Sequence, residues 1–185
     1  MRCFIAIELS EAVKSVLSVI EEELKKTGAD VRWVKPENIH LTIKFLGNIE
    51  EKIKEKIIES LKIVCSKYEH FSVELKGIGM FPNLKSPRVL WVGIGNNEIL
   101  KGIQEEIDEG MGKAGLEREN RKFTAHLTIG RISSLRGKEH LVKAMKTYEN
   151  KNFEKMNVAS ISFIRSDLHP EGARYTNIAK IPLGK

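Results

Sequence analysis

The sequence predicts an α+β fold in which two closely packed lobes share one core. Segments with strand-like apolar runs alternate with segments of helical spacing, and this order recurs in the second half of the chain. The tetrapeptide His-Leu-Thr-Ile occurs twice, at residues 40–43 and 126–129. No Gly/Ser-rich linker or low-complexity tract divides the 185 residues. We therefore expect residues 1–185 to form a single domain of two interleaved lobes, with one tetrapeptide in each.

The elements of the first half follow from local signals. Ser10 followed by Glu11 is a typical helix start, and apolar residues then recur at helical spacing until Gly28 ends the helix. Pro36 separates two strands, and Gly47 supplies the turn before the next helix. The elements predicted in this half are a strand over 3–7, a helix from 10–11 to Gly28, strands over 31–34 and 39–46, and a helix over 50–68.

The second half repeats the alternation. Pro82 and Pro87 mark a loop between two strands, and a polar turn through Pro170 and Gly172 separates the last two strands. The elements predicted in this half are strands over 71–80 and 89–94, a helix over 98–111, a strand over 125–132, a helix over 138–148, and strands over 158–168 and 175–181.

Composition narrows the class of protein without naming its function. The chain is 41% hydrophobic and 30% charged, which is typical of a soluble domain with a real core. A net charge of +6 favours a polyanionic partner but identifies none, and mixed charges such as those over 50–56 usually mark a solvated helix face. The apolar stretch at the N-terminus is too short for a signal peptide or a membrane span, so we expect a cytoplasmic protein without membrane contact. We also expect a monomer. Cys3 and Cys65 are expected to be buried thiols.

The repeated tetrapeptide is the strongest functional signal. The chain has five histidines, and the chance that the three residues after any two of them match is roughly a few in a thousand. Side chains alternate along a strand, so His40 and Thr42 share one face and His126 and Thr128 do the same. The leucine and isoleucine of each copy then face the core. If the two strands lie side by side about a pseudo-twofold axis, the two His–Thr pairs meet across a central cleft.

Two imidazoles and two hydroxyls suit phosphoryl chemistry near neutral pH. One imidazole can accept a proton from water while the other, protonated, donates to the leaving oxygen. The hydroxyls of Thr42 and Thr128 can hold the phosphate oxygens, and no metal or cofactor is needed. Arg131 could add a positive charge, but strict alternation places it on the opposite face unless Gly130 permits a bulge.

Structural explanations compete with these functional interpretations. A single histidine beside a threonine is usually a half-buried strand residue, and only the duplication reverses that judgement. Zinc is disfavoured because no nearby Asp, Glu or Cys completes a ligand set. The other three histidines, at 70, 140 and 169, lack this context. Phe45 and Phe123 could stack on a nucleobase, but an aromatic residue in or beside a strand more often packs in the core, and that is our expectation for both.

The paired motifs resemble the 2H phosphoesterase superfamily. The similarity to bacterial and archaeal RNA 2′,3′-cyclic phosphodiesterases, historically called 2′-5′ RNA ligases, extends over nearly the whole chain. The segments that carry it are 2–7, 33–47, 87–93 and 123–131. The resemblance implies a bilobal α+β fold in which each lobe carries an antiparallel sheet and one motif facing a central cleft.

The resemblance also implies a reaction and a division of labour. The reaction is hydrolysis of a 2′,3′-cyclic phosphate to a 2′-phosphomonoester, with weak, reversible, ATP-independent joining of tRNA halves. His40 would donate a proton to the departing 3′ oxygen, His126 would activate water, and Thr42 and Thr128 would bind the phosphate. The partner would be RNA with cyclic phosphate ends.

Two other functions stay open at this point. One is a phosphodiesterase for small cyclic phosphates, such as a cyclic nucleotide or ADP-ribose 1″,2″-cyclic phosphate. The other is an RNA-binding module with residual activity, which the basic charge and the lack of a nucleotide-binding glycine loop would fit. Turnover of defined substrates distinguishes all three.

Overall fold

The computed structural model describes residues 1–170 and 172–184. That part of the chain contains nine strands and four α-helices. In chain order they are β1 (Arg2–Glu8), α1 (Glu11–Lys25), β2 (Val31–Trp33), β3 (His40–Asn48), α2 (Lys54–Cys65), β4 (Phe71–Phe81), β5 (Val89–Gly95), α3 (Glu98–Lys113), β6 (His126–Ile132), α4 (Lys138–Lys146), β7 (Asn152–Val158), β8 (Ser160–His169) and β9 (Gly172–Pro182).

The strands form two antiparallel sheets with matching organisation. The first sheet has the order β3-β1-β8-β9 and the second the order β2-β6-β5-β4-β7. In each sheet the strand that carries the tetrapeptide, β3 or β6, is followed by three further strands in equivalent positions. The second sheet also has β2 on the other side of β6. Apart from the short strand β2, which lies between α1 and β3, the succession β1-α1-β3-α2 is repeated as β5-α3-β6-α4. This confirms the predicted α+β fold of two related lobes.

The helices pack on the outer faces of the sheets. Helix α2 lies on β8 and β9, and α3 packs against α2 and β3, so both cover the first sheet. Helix α1 contacts β7 and α4 in the second lobe. One cluster of buried apolar side chains contains members from both sheets and all four helices. Because the core is continuous, each lobe is stabilised partly by burial against the other.

Several predicted boundaries were wrong. Strand β7 was missed, because its charged Glu154 and Lys155 hide an alternation that buries Met156 and Val158. Val158 was predicted to begin the next strand, but it ends β7, and β8 begins at Ser160. Helix α2 is shorter than predicted, since residues 51–53 form a 3-10 turn before it. Strands β8 and β9 reach further into the predicted turn than expected, and Glu171 in that turn lies outside the described residues.

Helix α1 shows how one polar residue is buried at a cost. Ser10 caps the helix by accepting a hydrogen bond from the Val13 amide at 3.3 Å, as its position predicts. Glu21 lies on the apolar face of the helix and is only 2% exposed. Its Oε1 atom has no hydrogen-bond partner among the described residues, and Lys25 approaches the other oxygen only to 3.9 Å. Burial raises the pKa of Glu21 to about 7, with the Lys25 charge opposing the shift.

The Glu21→Gln variant should be more stable than the parent protein in mild alkali. A carboxyl whose pKa is raised on folding contributes its stability below its unfolded pKa of 4.5 and loses it as the pH rises through about 7. Glutamine cannot ionise, so denaturant unfolding at about pH 8 should give the variant a higher midpoint, with the difference shrinking towards pH 4.5. A midpoint difference that does not change with pH would contradict this assignment.

A buried ion pair joins β3 to α3. The ammonium of Lys44 donates to Asp108 Oδ1 at 2.5 Å and to the Glu117 carbonyl at 3.0 Å. Asp108 also accepts hydrogen bonds from Arg118 Nε at 3.0 Å and from the Glu119 amide at 2.9 Å. Burial opposes ionisation of Asp108, but these donors outweigh it and hold its pKa below the usual range. The pair therefore fixes the loop after α3 against the first motif strand.

Candidate active site

The two tetrapeptides lie on neighbouring strands of different sheets. Strands β3 and β6 contact each other, although neither is hydrogen-bonded to the other. In both copies the leucine and isoleucine are buried in the shared core, whereas the histidine and threonine are half-buried on the opposite face. The structure thus brings His40, Thr42, His126 and Thr128 onto adjoining surfaces, as strand alternation predicts. We refer to these surfaces as the site faces of the two sheets.

The same irregularity follows the threonine in each motif strand. In β3, Thr42 pairs with Ala6 and Lys44 with Ile5, so β3 has one extra residue in the register. In β6, Thr128 pairs with Trp91 and the next pair is Gly130 with Leu90, which gives an equivalent β-bulge. After each bulge the alternation of faces is inverted.

The inversion decides which face of its sheet each of four residues occupies. Lys44 and Gly130 turn inward, and a Cβ on Gly130 would come within 2.5 Å of the Val31 side chain. Phe45 and Arg131 therefore occupy equivalent positions on the site faces. The structure meets the condition set for Arg131, because the register shifts at Gly130. The expectation that Phe45 packs in the core is wrong, because this residue is 66% exposed, whereas Phe123 does pack against the core.

His40 lies in an aromatic environment on the first sheet. Phe4 stacks on the imidazole with ring centroids 4.7 Å apart and planes at 16°, and Tyr175 meets it edge-on at 4.8 Å. Burial lowers the pKa of His40 to about 4, and the carboxylate of Glu8 raises it in part. The aromatic rings fix the orientation of the imidazole and keep water from one side of it.

Glu8 carries the negative charge that raises the pKa of His40, and it is held in place by three side chains. It pairs with His40 across β1 and β3. Its carboxylate accepts hydrogen bonds of 2.9 Å from Ser162 and from Asn177, and Lys180 lies at 3.4 Å. Burial raises the pKa of Glu8, but the donors outweigh this effect and the net shift is downward. Glu8 therefore stays ionised beside His40. No motif pointed to Glu8, because its hydrogen-bond partners lie more than 150 residues away in the sequence.

His126 has a different environment and a defined tautomer. Its Nδ1 lies 2.7 Å from the Thr124 carbonyl oxygen, and since a carbonyl only accepts, Nδ1–H donates. In the neutral ring the lone pair is then on Nε2. Phe81 meets the imidazole edge-on at 5.0 Å and also packs on Trp91 at 5.0 Å. The aromatic contact to each histidine escaped prediction because Phe4 and Phe81 come from separate strands.

The two site faces are electrostatically connected. Tyr175, on the first sheet, has its pKa raised by burial, and the positive charges of Arg131 on the second sheet and of Arg2 oppose the rise. Arg131 is therefore close enough to act on a group beside His40. In residues 1–170 and 172–184, neither Thr42 nor Thr128 uses its hydroxyl in a hydrogen bond, so both hydroxyls are available to a ligand. Two imidazoles, two hydroxyls and one guanidinium therefore lie on the adjoining site faces.

Other residues singled out in the sequence lie away from the site faces. The remaining three histidines are all exposed, and Cys3 and Cys65 are buried free thiols as expected. Burial raises the pKa of both cysteines, to about 11 for Cys65. Across the described residues, no three His, Cys, Asp or Glu side chains form a group that could hold a metal ion. No helix in the same part of the chain is long and apolar enough to cross a membrane.

Solved structures share this fold. A Thermus thermophilus protein, TT0787, superposes with a TM-score of 0.84 at 24% identity, over all of both chains. Escherichia coli LigT in complex with 3′-AMP gives a TM-score of 0.77 at 21% identity, over 100% of this chain and 98% of that one. At these identities the likeness establishes the architecture.

Sequence relatives and a family model identify the family to which this chain belongs. A protein of Thermotoga maritima named RNA 2′,3′-cyclic phosphodiesterase is 38% identical over 95% of this chain and 91% of its own. Proteins with the same name are 36% identical in Methanocaldococcus jannaschii, over 95% and 96%, and 34% identical in Methanothermobacter thermautotrophicus, over 96% of both chains. The model of the LigT-like phosphoesterases matches residues 7–91 and 93–175, so each matched segment contains one tetrapeptide. The chain therefore belongs to the LigT-like phosphoesterase family.

Proposed function

We propose that this protein hydrolyses 2′,3′-cyclic phosphate termini of RNA to 2′-phosphomonoesters. The observation that carries the proposal is the placement of two His–Thr pairs on adjoining site faces of two contacting strands. The names of relatives that match nearly the whole chain support the substrate class. An acid, a base and paired phosphate ligands are what the opening of a cyclic phosphodiester needs.

In the proposed reaction the two histidines have opposite roles. Nε2 of His126 accepts a proton from water, whose oxygen attacks phosphorus, and the bond from phosphorus to the 3′ oxygen breaks. Protonated His40 donates its proton to that departing oxygen, which leaves a 2′-phosphomonoester and a 3′ hydroxyl. The Thr124 carbonyl supports the role of His126, because it keeps the Nε2 lone pair free. Exchange with solvent then restores the starting protonation of both rings.

The remaining groups position and stabilise the phosphate. We assign the hydroxyls of Thr42 and Thr128 to its non-bridging oxygens, and Arg131 to the negative charge that builds there. The exposed ring of Phe45 provides a surface on which the terminal base can stack. The scheme uses no metal or cofactor.

The same chemistry allows joining of RNA ends. If the 5′ hydroxyl of a second RNA takes the place of water, opening of the cyclic phosphate gives a 2′-5′ linkage. Such a step needs no ATP, because the strained cyclic ester already carries the activated phosphate. We therefore include weak, reversible ligation of RNA ends, such as tRNA halves, in the proposed activity. Water competes with the 5′ hydroxyl at all times, so hydrolysis is the main outcome.

The Glu8→Gln variant should change the pH dependence of hydrolysis. In the free protein His40 loses its proton with a pKa of about 4, and Glu8 raises that pKa. The limb of the kcat/KM profile that reports the proton donor His40 should thus lie near pH 4, and removing the Glu8 charge should move this limb to lower pH. In the kcat profile the same limb should appear at higher pH, because bound phosphate favours the imidazolium.

The control for this prediction is Glu11→Gln, which removes an exposed carboxylate on α1. Its profile should match that of the parent protein. If Glu8→Gln lowers the rate equally at every pH and leaves both limbs in place, Glu8 does not act through His40.

A substrate panel tests the proposed function. It contains the four 2′,3′-cyclic mononucleotides, oligoribonucleotides with cyclic phosphate ends, 3′,5′-cyclic AMP and ADP-ribose 1″,2″-cyclic phosphate. We expect turnover of the 2′,3′-cyclic ends, with oligoribonucleotides among the substrates. Turnover confined to ADP-ribose cyclic phosphate or 3′,5′-cyclic AMP would assign the site to small molecules instead. Salt-sensitive RNA binding without any turnover would contradict the enzymatic proposal.

A further inference from the structure

An open groove lies along β5 and reaches Thr124 and Ala125, just before the second motif strand. It has a volume of about 340 Å³. The residues that carry the argument line this space, which we call the Gly93 groove: Lys76, Trp91, Gly93, Gly95, Lys101 and Lys122. Trp91 and Gly93 pair with Thr128 and His126 of the second motif strand, so the groove is continuous with the proposed phosphate site.

The groove exists because two glycines take the place of side chains. Trp91, Gly93 and Gly95 alternate onto the site face of β5, and only the tryptophan carries a side chain. A Cβ on Gly93 would lie 2.5 Å from the Lys76 carbonyl oxygen and 3.2 Å from the Trp91 ring. The Lys76 Cβ and Cδ lie 3.7 Å from where a Cβ on Gly95 would be, so the stem of Lys76 runs beside the groove.

The backbone of β4 is shaped to present Lys76. The register of β4 shifts between Leu75 and Ile78, and Gly77 adopts a φ of +69° in this bulge. A Cβ on Gly77 would also come within 2.9 Å of the Glu149 carbonyl oxygen. A glycine is therefore required where the chain turns to bring Lys76 over β5.

The charge of the groove is uniformly positive. Three lysines line it, from β4, from α3 and from the loop before β6, and none of its lining residues is acidic. Among the described residues Lys76 and Lys122 have no ion-pair partner, whereas Lys101 is paired with Glu98 at 2.7 Å. The N-terminus of the 16-residue helix α3 also reaches the groove at Asn97, and its amide groups add partial positive charge. Unpaired ammonium groups in an open groove favour an anionic ligand.

The groove also provides aromatic surface. Trp91 lies at the end next to Thr128, and Phe123 lines the side formed by the loop before β6. Lysines combined with aromatic rings along an open groove are typical of surfaces that bind single-stranded nucleic acid. A cyclic mononucleotide has a single phosphate, which the two histidines already engage. A ligand that also occupies the groove must therefore carry a second anionic group.

We infer that the Gly93 groove binds the backbone phosphates of the RNA strand on the 5′ side of its cyclic phosphate end. This inference rests on the proposed function and sharpens it, because it makes an RNA strand a better substrate than a mononucleotide. Lys76 and Lys122 neutralise phosphates of the preceding nucleotides, and the terminal cyclic phosphate lies between the histidines.

The test compares substrates of different length in a double variant, Lys76→Ala with Lys122→Ala. We expect its KM for a tetranucleotide with a cyclic phosphate end to rise roughly tenfold, since two exposed charge contacts are lost. Its kcat/KM for a cyclic mononucleotide should stay within about twofold of the parent value. The slope of log kcat/KM against log salt for the tetranucleotide should become shallower by about 1.4, because single strands contribute about 0.7 per phosphate.

The matched control removes the same charge elsewhere. Lys56→Ala with Lys143→Ala alters exposed lysines on the outer helices α2 and α4. We expect this control to behave as the parent protein on both substrates. If it raises the tetranucleotide KM as much as the groove variant, net charge and not the groove is responsible, and the inference is overturned. The inference is also overturned if the groove variant affects the mononucleotide as strongly as the tetranucleotide.

A binding measurement keeps the two proposals separate. Fluorescence anisotropy with a tetranucleotide ending in a 3′ phosphate needs no turnover. The groove variant should bind this probe roughly tenfold more weakly than the control variant does. If the parent protein hydrolyses no cyclic phosphate, the proposed function fails and the binding ratio alone decides the groove. Equal binding by the groove and control variants overturns the groove whatever the activity shows.

Discussion

Replacing His40 or His126 with alanine should lower kcat for cyclic phosphate hydrolysis by about 10²- to 10⁴-fold. Each substitution removes one proton transfer from the proposed reaction, so the loss should fall on kcat more than on KM. The double variant should be little worse than either single one, because an acid without its base no longer acts as a pair. Activity of the parent protein should persist in EDTA.

His140→Ala is the matched control for the histidine substitutions. This residue is exposed on α4, outside both site faces. It should retain the parent rate, which shows that loss of a histidine is not in itself harmful. Near-parental turnover by either His40→Ala or His126→Ala, with the folded state verified by circular dichroism, would rule out two-histidine catalysis.

The Asp108→Ala variant should lose about 3–5 kcal/mol of the free energy of unfolding, since it leaves the Lys44 ammonium buried without its counter-charge. It also releases the hydrogen bonds that Asp108 accepts from Arg118 and the Glu119 amide. Denaturant unfolding measures the loss, with unchanged m-values showing that the same surface is exposed. We expect hydrolysis to weaken as well, because Lys44 follows the first motif in β3.

Two companion variants separate the buried pair from ordinary charge effects. Glu109→Ala breaks an exposed pair with Lys113 on the same helix and should cost less than about 1 kcal/mol. Replacing both buried partners, with Lys44→Met and Asp108→Leu, should recover much of the stability lost in Asp108→Ala, because no unpaired charge then remains. If Asp108→Ala is no less stable than Glu109→Ala, the pair does not have the structural role assigned to it.

The sequence was sufficient for the fold class and for the composition of the motif faces. Both depend on local periodicity, and period-two alternation in β3 and β6 separates a packing face from a chemical face within four residues. Arg131 could be placed only conditionally, since its face depends on a bulge. Gly130 indicated that a bulge was possible, and Val31 on a different strand occupies the space that a Cβ at this position would need.

The features that escaped prediction arise from contacts between distant segments. The equivalent bulge in β3 has no glycine to announce it, so Phe45 was expected in the core although it faces the site. Glu8 accepts hydrogen bonds from Ser162 and Asn177, which belong to β8 and β9 and lie more than 150 residues away in the sequence. Strand β7 was missed because three of its seven residues are exposed and two, Glu154 and Lys155, carry charge. Periodicity within one segment contains none of this information.

The identity of the product tests the central proposal most directly. A ribonucleotide 2′,3′-cyclic phosphate is incubated with the protein in EDTA, and the product is identified by chromatography and phosphorus NMR against authentic 2′ and 3′ monophosphates. Donation from His40 to the departing 3′ oxygen predicts the 2′-phosphomonoester as the main product. A 3′-phosphomonoester would mean that the other bond breaks, and would contradict the orientation of the ester between His40 and His126.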